Sequence, residues 1–284
     1  MIERVAQAVI QRQVAAALAE DLGAGDVTAA LVPASQQVRA QIIAREPAVL
    51  CGTDWADATF KQLDPSVRVD WLAQVGEALV ADRAVVKLAG PARAILTGER
   101  TALNFLQTLS ATATAARRYV DAVAGTGCRI LDTRKTLPGL RLAQKYAARC
   151  GGAQNHRLGL YDMVLIKENH IIAAGSIGGA ISRAHQTSPG IPVEVEVESL
   201  GEFDQALAAG ADIIMLDELS VDDMREAVKR NRSRESKAKL EASGSVTLAT
   251  VREIALTGVD YVSIGGITKH VQAVDLSMRF EFAA

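Results

Sequence analysis

The chain lacks any pair of cysteines at metal-binding or redox spacing. Its three cysteines, Cys51, Cys128 and Cys150, stand far apart. An odd number without a CxxC argues against a disulfide framework or a zinc site, and predicts reduced, buried thiols in a cytoplasmic protein. Long apolar runs are missing too. No stretch approaches the ~20 apolar residues of a membrane span, so no membrane attachment is expected. The opening MIERVAQAVIQRQVAAALAED interrupts its apolar residues with Glu3, Arg4 and Arg12, which marks an amphipathic helix rather than a signal sequence. Net charge is small, at -2, so the global basic footprint of a nucleic-acid binder is absent. There is no Walker motif, no dinucleotide fingerprint and no Ser/His/Asp order.

What is present is an ordinary globular composition, 49% hydrophobic and 23% charged over 284 residues, enough for one or two domains. Two rhythms divide it. Up to about Gly90 short strands dominate: VRAQIIARE alternates apolar and polar residues, and AVLCG, VRVDWL, AVVKLAG and ARAIL are further strand candidates. TDWADATFKQL has helical spacing, with Thr53 or Asp54 as its cap. This part reads as an α+β domain with a mostly antiparallel sheet. A long helix follows, capped by Thr97, with Leu103, Leu106 and Leu109 on its buried face. From Cys128 onward, apolar runs (CRILDT, MVLIK, PVEVEVES, ADIIMLD, AKLEAS, YVSIGG) alternate with helical stretches. That alternation predicts parallel strands with right-handed crossovers, as in a (β/α) barrel. Only about 140 residues (128 to 266) are available, against ~250 for a complete barrel, so a six- to seven-stranded incomplete barrel fits. A doubly wound open sheet is the alternative.

The chemistry-bearing residues cluster at the C-terminal ends of these runs. Between Ile130 and His170 there are seven Lys or Arg and three acids, on a chain that as a whole is slightly acidic. Such a local excess suits a small anionic ligand in one cleft. Arg134 and Lys135 follow the first run, and Pro138 and Gly139 then open a helix. His156 and Arg157 lie on a later loop, and Lys167 ends MVLIK. Arg141, Lys145 and Arg149, at i, i+4 spacing, read as a solvated helix face in preference to ligand groups. In VEVEVES the valines must face the helices of a barrel, which turns Glu194, Glu196 and Glu198 inward; on an exposed strand they would be a plain solvent face. Asp217 ends the next run and, with Glu196, makes a plausible Mg²⁺ site. Ser243, Gly244 and Ser245, and then Gly265 and Gly266, form small-residue turns that let backbone N–H groups approach a phosphate.

Taken in order, EDLGAGDVTA, GERTALNFLQTLSATAT, LDTRKTLPGLRLAQKYA, GGAQNHRLGLYDMVLIKENH, VEVEVESL, IIMLDE, LEASGS and GVDYVSIGGITKHVQAVDLSMRF closely resemble the quinolinate phosphoribosyltransferase family over essentially the whole chain. The resemblance implies an α/β fold with an N-terminal α+β sandwich-like domain over residues 1–112. It also implies an incomplete, about seven-stranded α/β barrel over 113–267 and a C-terminal segment, 268–284, that returns to the first domain. It implies a cytoplasmic enzyme that converts quinolinate and phosphoribosyl pyrophosphate to nicotinate mononucleotide, CO₂ and pyrophosphate in NAD synthesis. The expected assembly is a homodimer or a higher oligomer with shared active sites. Carried over, Arg134, His156, Arg157 and Lys167 would grip the quinolinate carboxylates, with Arg100 entering from the partner. Thr133 and Lys135 would lie beside the substrates, Lys135 near the pyrophosphate. Glu196 and Asp217 would serve Mg²⁺ and the ribose, and with Lys135 form the catalytic set. Ser243, Gly244 and Ser245 and Ile264, Gly265 and Gly266 would hold the 5-phosphate. Family members often have a second glycine where this chain has Ser245. Three other readings remain: a relative using another aromatic acid, a Schiff-base aldolase with Lys167 as nucleophile, and a non-catalytic sensor of phosphoribosyl pyrophosphate.

Overall fold

The computed structural model describes residues 2–234 and 237–282. In chain order the elements begin with α1 (Gln7–Leu22), β1 (Gln37–Ala44), β2 (Ala48–Val49), α2 (Thr53–Leu63), β3 (Arg68–Trp71), β4 (Ala78–Leu79), β5 (Arg83–Pro91) and α3 (Ala92–Ala122). Then come β6 (Arg129–Leu131), α4 (Arg141–Cys150), β7 (Val164–Ile166), α5 (Glu168–Ala174), α6 (Ile177–Thr187), β8 (Val193–Val197) and α7 (Leu200–Ala208). The last are β9 (Ile213–Asp217), α8 (Val221–Arg232), β10 (Lys239–Ser243), α9 (Val251–Ala255), β11 (Tyr261–Ser263), α10 (Gly266–Lys269) and β12 (Leu276–Phe282). The chain divides into two compact units. One comprises residues 1–117, 136–152 and 267–284, the other 118–135 and 153–266.

In the first unit an antiparallel sheet runs β12-β1-β5-β3. The alternation of β1 has its expected result: Val38, Ala40 and Ile42 are buried, while Arg39 and Gln41 turn to the other face. The buried residues form a core with Leu88, Phe60, Ile95, Leu103 and Leu106. A second core holds α1 through Ile10, Val14 and Leu18, four residues apart and packed among Trp55, Phe105, Leu109 and Tyr146. Burying each such side chain contributes about 1.5–3 kcal/mol, and Trp55 Nε1 also donates to Gln13 Oε1 at 2.8 Å. A charge at Val14 would break this seam.

Five local expectations are corrected. ARAIL is not a strand but the first turns of α3, because Ala92 and Ile95 bury one helical face. Thr97 is therefore inside the helix, and its hydroxyl donates to Asp26 Oδ2 at 2.8 Å. At the start of α2 neither Thr53 nor Asp54 caps; Gly52 does, at φ 96°, where a Cβ would stand 3.1 Å from Phe105 O. Pro138 and Gly139 form a turn ahead of α4, and Leu137 N–H donates to Gln144 Oε1 at 2.7 Å. Lys145 is 1% exposed, so the face of Arg141, Lys145 and Arg149 is not a solvated one.

In the second unit a parallel sheet of six strands runs β6-β11-β10-β9-β8-β7. Strands β7 to β11 lie side by side in chain order, and β6 pairs with β11. A doubly wound sheet must reverse its order at a switch point; this order never reverses. On the other edge of β6 a single parallel bridge joins Leu131 to Gln154, and the chain runs on from there to β7. The strands therefore follow a barrel ring in sequence, with the bridge standing where a seventh strand would be. Val193, Val195 and Val197 are fully buried, and β8 packs against α6 and α7.

Candidate active site

The C-terminal ends of the six strands line up in register, Ser243 opposite Asp217 and Ser263 opposite Leu131. Around this end lies a cavity of about 410 Å³. The loop after β6 supplies Thr133, Arg134 and Lys135 to its wall; the loop before β7 supplies His156 and Arg157. Lys167 enters just beyond β7, Glu196 from β8, Asp217 from β9 and Ser243 from β10. Leu165 and Met215 add an apolar surface.

Asp132, fully buried, fixes the second of these loops. Its Oδ1 accepts from His156 N–H at 3.0 Å and its Oδ2 from Asn155 Nδ2 at 2.5 Å. Asp162 folds the far side of the same loop by accepting from Leu158 and Gly159 N–H at 2.7 and 2.9 Å. Arg157 is thereby held close to Arg134. Burial first, and then the Arg134 guanidinium, draws Arg157 below its ordinary value. Arg134 Nε is buried without a hydrogen-bond partner. Two guanidiniums this close, one with an unused donor, are arranged for an anion.

In the same cavity Lys167 Nζ forms an ion pair with Glu196. Asp217 is raised above its ordinary value by burial and next by the Glu196 carboxylate. Two neighbouring carboxylates that repel one another in this way fit a divalent cation, which would relieve the repulsion. The stem of Lys135 crosses the turn after β11: a Cβ on Gly265 would stand 3.0 Å from Lys135 Cδ.

Beneath His156 lies a buried acid pair. Glu194 and Glu241 are 0% and 1% exposed, and their carboxylates approach His156 Nε2 to 3.0 and 3.6 Å. Burial pushes Glu194 up to about 7. Burial, followed by the Glu194 carboxylate, pushes Glu241 up to about 8. The three side chains are spaced so that they could hold a metal ion. However, Arg157 N–H donates to His156 Nδ1 at 2.7 Å. The neutral ring then carries its proton on Nε2, facing the acids, where a metal would need a lone pair. Both ring nitrogens are thus engaged inside the chain, although His156 borders the cavity.

The remaining expected residues lie elsewhere. Gly244 and Ser245 are exposed on the turn beyond β10. Ile264 is buried, and its N–H donates to Leu131 O at 2.9 Å, so that donor is already used. Gly266 opens α10. Arg100 belongs to the first unit, exposed on α3 beside a cleft of about 480 Å³ bordered by Glu20, Asp21 and Asn104. Of the three glutamates expected inward, Glu194 is buried, Glu196 reaches the cavity and Glu198 lies past the strand end, exposed. Asp132 and Glu241 were not anticipated. Glu241 had a readable signal, a lone carboxylate between Leu240 and Ala242 in an apolar run. All three cysteines are free and buried. Among the described residues no helix is long and apolar enough to cross a membrane.

An incomplete parallel barrel whose strand ends present paired guanidiniums, a lysine–glutamate pair and a second carboxylate defines an α/β-barrel enzyme acting on anionic substrates. Comparison with known proteins gives the family. The quinolinate phosphoribosyl transferase C-terminal domain matches residues 112–279 and the corresponding N-terminal domain residues 26–110. A probable nicotinate-nucleotide pyrophosphorylase [carboxylating] of Synechocystis is 44% identical over 263 residues, covering 92% of this chain and 89% of that protein. The nicotinate-nucleotide pyrophosphorylase [carboxylating] of Mycobacterium leprae is 41% identical over 266 residues, covering 92% and 94%. The solved nicotinate-nucleotide pyrophosphorylase of Francisella tularensis superimposes with a TM-score of 0.95 at 45% identity, covering 99% of each chain. The chain belongs to the quinolinate phosphoribosyl transferase family.

Proposed function

We infer that the protein joins quinolinate to phosphoribosyl pyrophosphate, releasing CO₂ and pyrophosphate and leaving nicotinate mononucleotide, in NAD biosynthesis. The observation that carries this reading is the Arg134–Arg157 pair with its unused buried donor, facing carboxylates across one cavity. Two like-charged substrates must meet there, and the basic wall offsets their repulsion. Arg134, Arg157 and Lys167 hold the quinolinate carboxylates; each charge-assisted hydrogen bond contributes roughly 1.5–3 kcal/mol. Leu165 and Met215 take the flat pyridine ring. His156 acts from behind, by fixing the Arg157 backbone, and Thr133 shapes the loop by accepting from Lys135 N–H at 3.1 Å.

The ring nitrogen forms a bond to the ribose carbon as the carbon–oxygen bond to pyrophosphate breaks. Lys135 stabilises the departing pyrophosphate. Glu196 and Asp217 would hold Mg²⁺, which would supply further neutralisation of its charge. The same two carboxylates face the cation-like ribose carbon. As CO₂ departs, the electron pair of the broken bond stays on the ring carbon, stabilised by the adjacent positive ring nitrogen, and that carbon then takes up a proton. Most of the acceleration comes from positioning and electrostatics. The turns at Ser243–Ser245 and Gly265–Gly266 hold the 5-phosphate.

We further infer a cytoplasmic homodimer, with Arg100 of each chain completing the site of the other. The domain division is 1–112 and 113–267, with 268–284 returning to the first, a reading supported by the β1–β12 pairing. The test is a product assay with quinolinate, phosphoribosyl pyrophosphate and Mg²⁺, with nicotinate in parallel. Nicotinate mononucleotide and CO₂ from quinolinate alone are expected. Product from nicotinate alone, or binding of phosphoribosyl pyrophosphate without turnover, would refute the reading.

A further inference from the structure

The turn after β10 is not an empty cradle. Glu218, the residue after β9, has φ 52°, in the left-handed region that residues bearing a Cβ adopt rarely. Its N–H donates to Ser243 O at 3.1 Å. From that backbone the side chain reaches the next turn, where Oε1 accepts from the Ser245 hydroxyl at 2.9 Å. The carboxylate lies directly on Gly244. A Cβ there would stand 2.6 Å from Glu218 Cδ and 2.7 and 2.9 Å from its two oxygens. Gly244 itself lies at φ 129°, a backbone that glycine favours, and the Glu218 carboxylate fills the space beside it. Ser245, the one position where this chain departs from the pattern expected of the turn, is the residue that anchors the carboxylate.

We propose that Glu218 is a specificity-determining residue for the phosphoribosyl substrate: its carboxylate occupies the place over Gly244 and Ser245 that the 5-phosphate takes, and the substrate must displace it. The proposal rests on the reading of residues 243–245 as the 5-phosphate turn. A carboxylate offers one negative charge and here makes one hydrogen bond to the turn. A phosphate monoester brings nearly two charges and three strong acceptor oxygens. It can therefore win the exchange, whereas an uncharged hydroxymethyl group cannot. Because Glu218 is exposed, its side chain can swing into solvent when displaced. If it stayed, it would stand against the phosphate as a like charge. In the free protein the carboxylate holds the turn in shape, and it raises the concentration of 5-phosphate needed to fill the site.

The test uses ribose 5-phosphate, which carries the 5-phosphate and no pyrophosphate, as a competitor of phosphoribosyl pyrophosphate. Pyrophosphate serves as a control for the opposite end. Glu218→Gln keeps the side-chain length and the acceptor for Ser245 but removes the charge. Its inhibition constant for ribose 5-phosphate falls roughly tenfold, the effect of removing one exposed charge from beside a doubly charged group, while that for pyrophosphate is unchanged. Ser245→Ala, which frees the carboxylate, shifts in the same direction by less. The double variant gains no more than Glu218→Gln alone, because both act through one contact. An unchanged or higher constant for ribose 5-phosphate in Glu218→Gln overturns the proposal and leaves the phosphate turn standing. If ribose 5-phosphate competes in neither protein, the phosphate turn itself is refuted and the proposal falls with it.

Discussion

Replacing Glu241 by glutamine reverses an electrostatic cost built into the barrel. Glu241 is 1% exposed, beside the equally buried Glu194. An unfolded glutamate titrates near 4.5, whereas burial and the Glu194 charge raise Glu241 to about 8 in the folded chain. Between those values the folded state binds a proton that the unfolded state has lost. Stability therefore falls as pH rises, by up to about 1.4 kcal/mol per pH unit for this group. Over the whole window (8 − 4.5 = 3.5 units) the ceiling is about 5 kcal/mol. Glutamine has the same shape and no charge to desolvate. Glu241→Gln should thus match the wild type within about 1 kcal/mol at pH 5, where the wild-type carboxyl is itself uncharged. It should exceed the wild type increasingly from pH 7 to 9. Denaturant unfolding of both proteins at pH 5, 7 and 9, at constant ionic strength, measures the difference; groups remote from the acid pair cancel because both chains share them. A stability difference that does not change with pH would refute the account of the acid pair.

Arg134→Ala should weaken quinolinate by about 1.5–3 kcal/mol and phosphoribosyl pyrophosphate much less, by calorimetry; equal losses would remove its assigned role. Chains bearing Arg100→Ala and Arg134→Ala, each inactive alone, should regain part of the activity when mixed, whereas verified heterodimers without activity would contradict a shared site. Gly151→Ala places a methyl 2.3 Å from Ala113 O and 2.6 Å from Ala116 Cβ, a clash with α3 that no side-chain rotation relieves. It should cost about 2–3 kcal/mol, and an unchanged melting temperature would show that the helices yield freely.

The barrel was legible because parallel strands buried on both faces read as unbroken apolar runs between helical stretches. The strand order was not, since hydrogen bonding between MVLIK and its neighbours leaves no local trace. ARAIL misled because a five-residue apolar run fits a strand or a helix start equally well. Lys145 misled because i, i+4 charge spacing is the same on a buried as on a solvated face, and only the tertiary fold distinguishes them. Arg134, Arg157, Lys167, Glu196 and Asp217 were readable as residues at strand ends, where barrels place their chemistry. Glu218 was hidden because its role depends on a left-handed backbone and on a turn 25 residues further along (243 − 218 = 25).

The pairing of β1 with β12 sets a schedule for synthesis. Arg45 and Ser277, which share a hydrogen bond, are 232 residues apart. At roughly 5–20 residues per second, a ribosome needs about 10–50 s to make the intervening chain. Once β5 is made, and until β12 follows, β1 has β5 on one side and nothing of its own on the other. All the strands of the barrel ring are made within that interval, so the second unit can complete its sheet while the first still presents a bare strand edge. Until β12 is made, the bare edge of β1 is open to pairing with a neighbouring nascent chain on the same messenger.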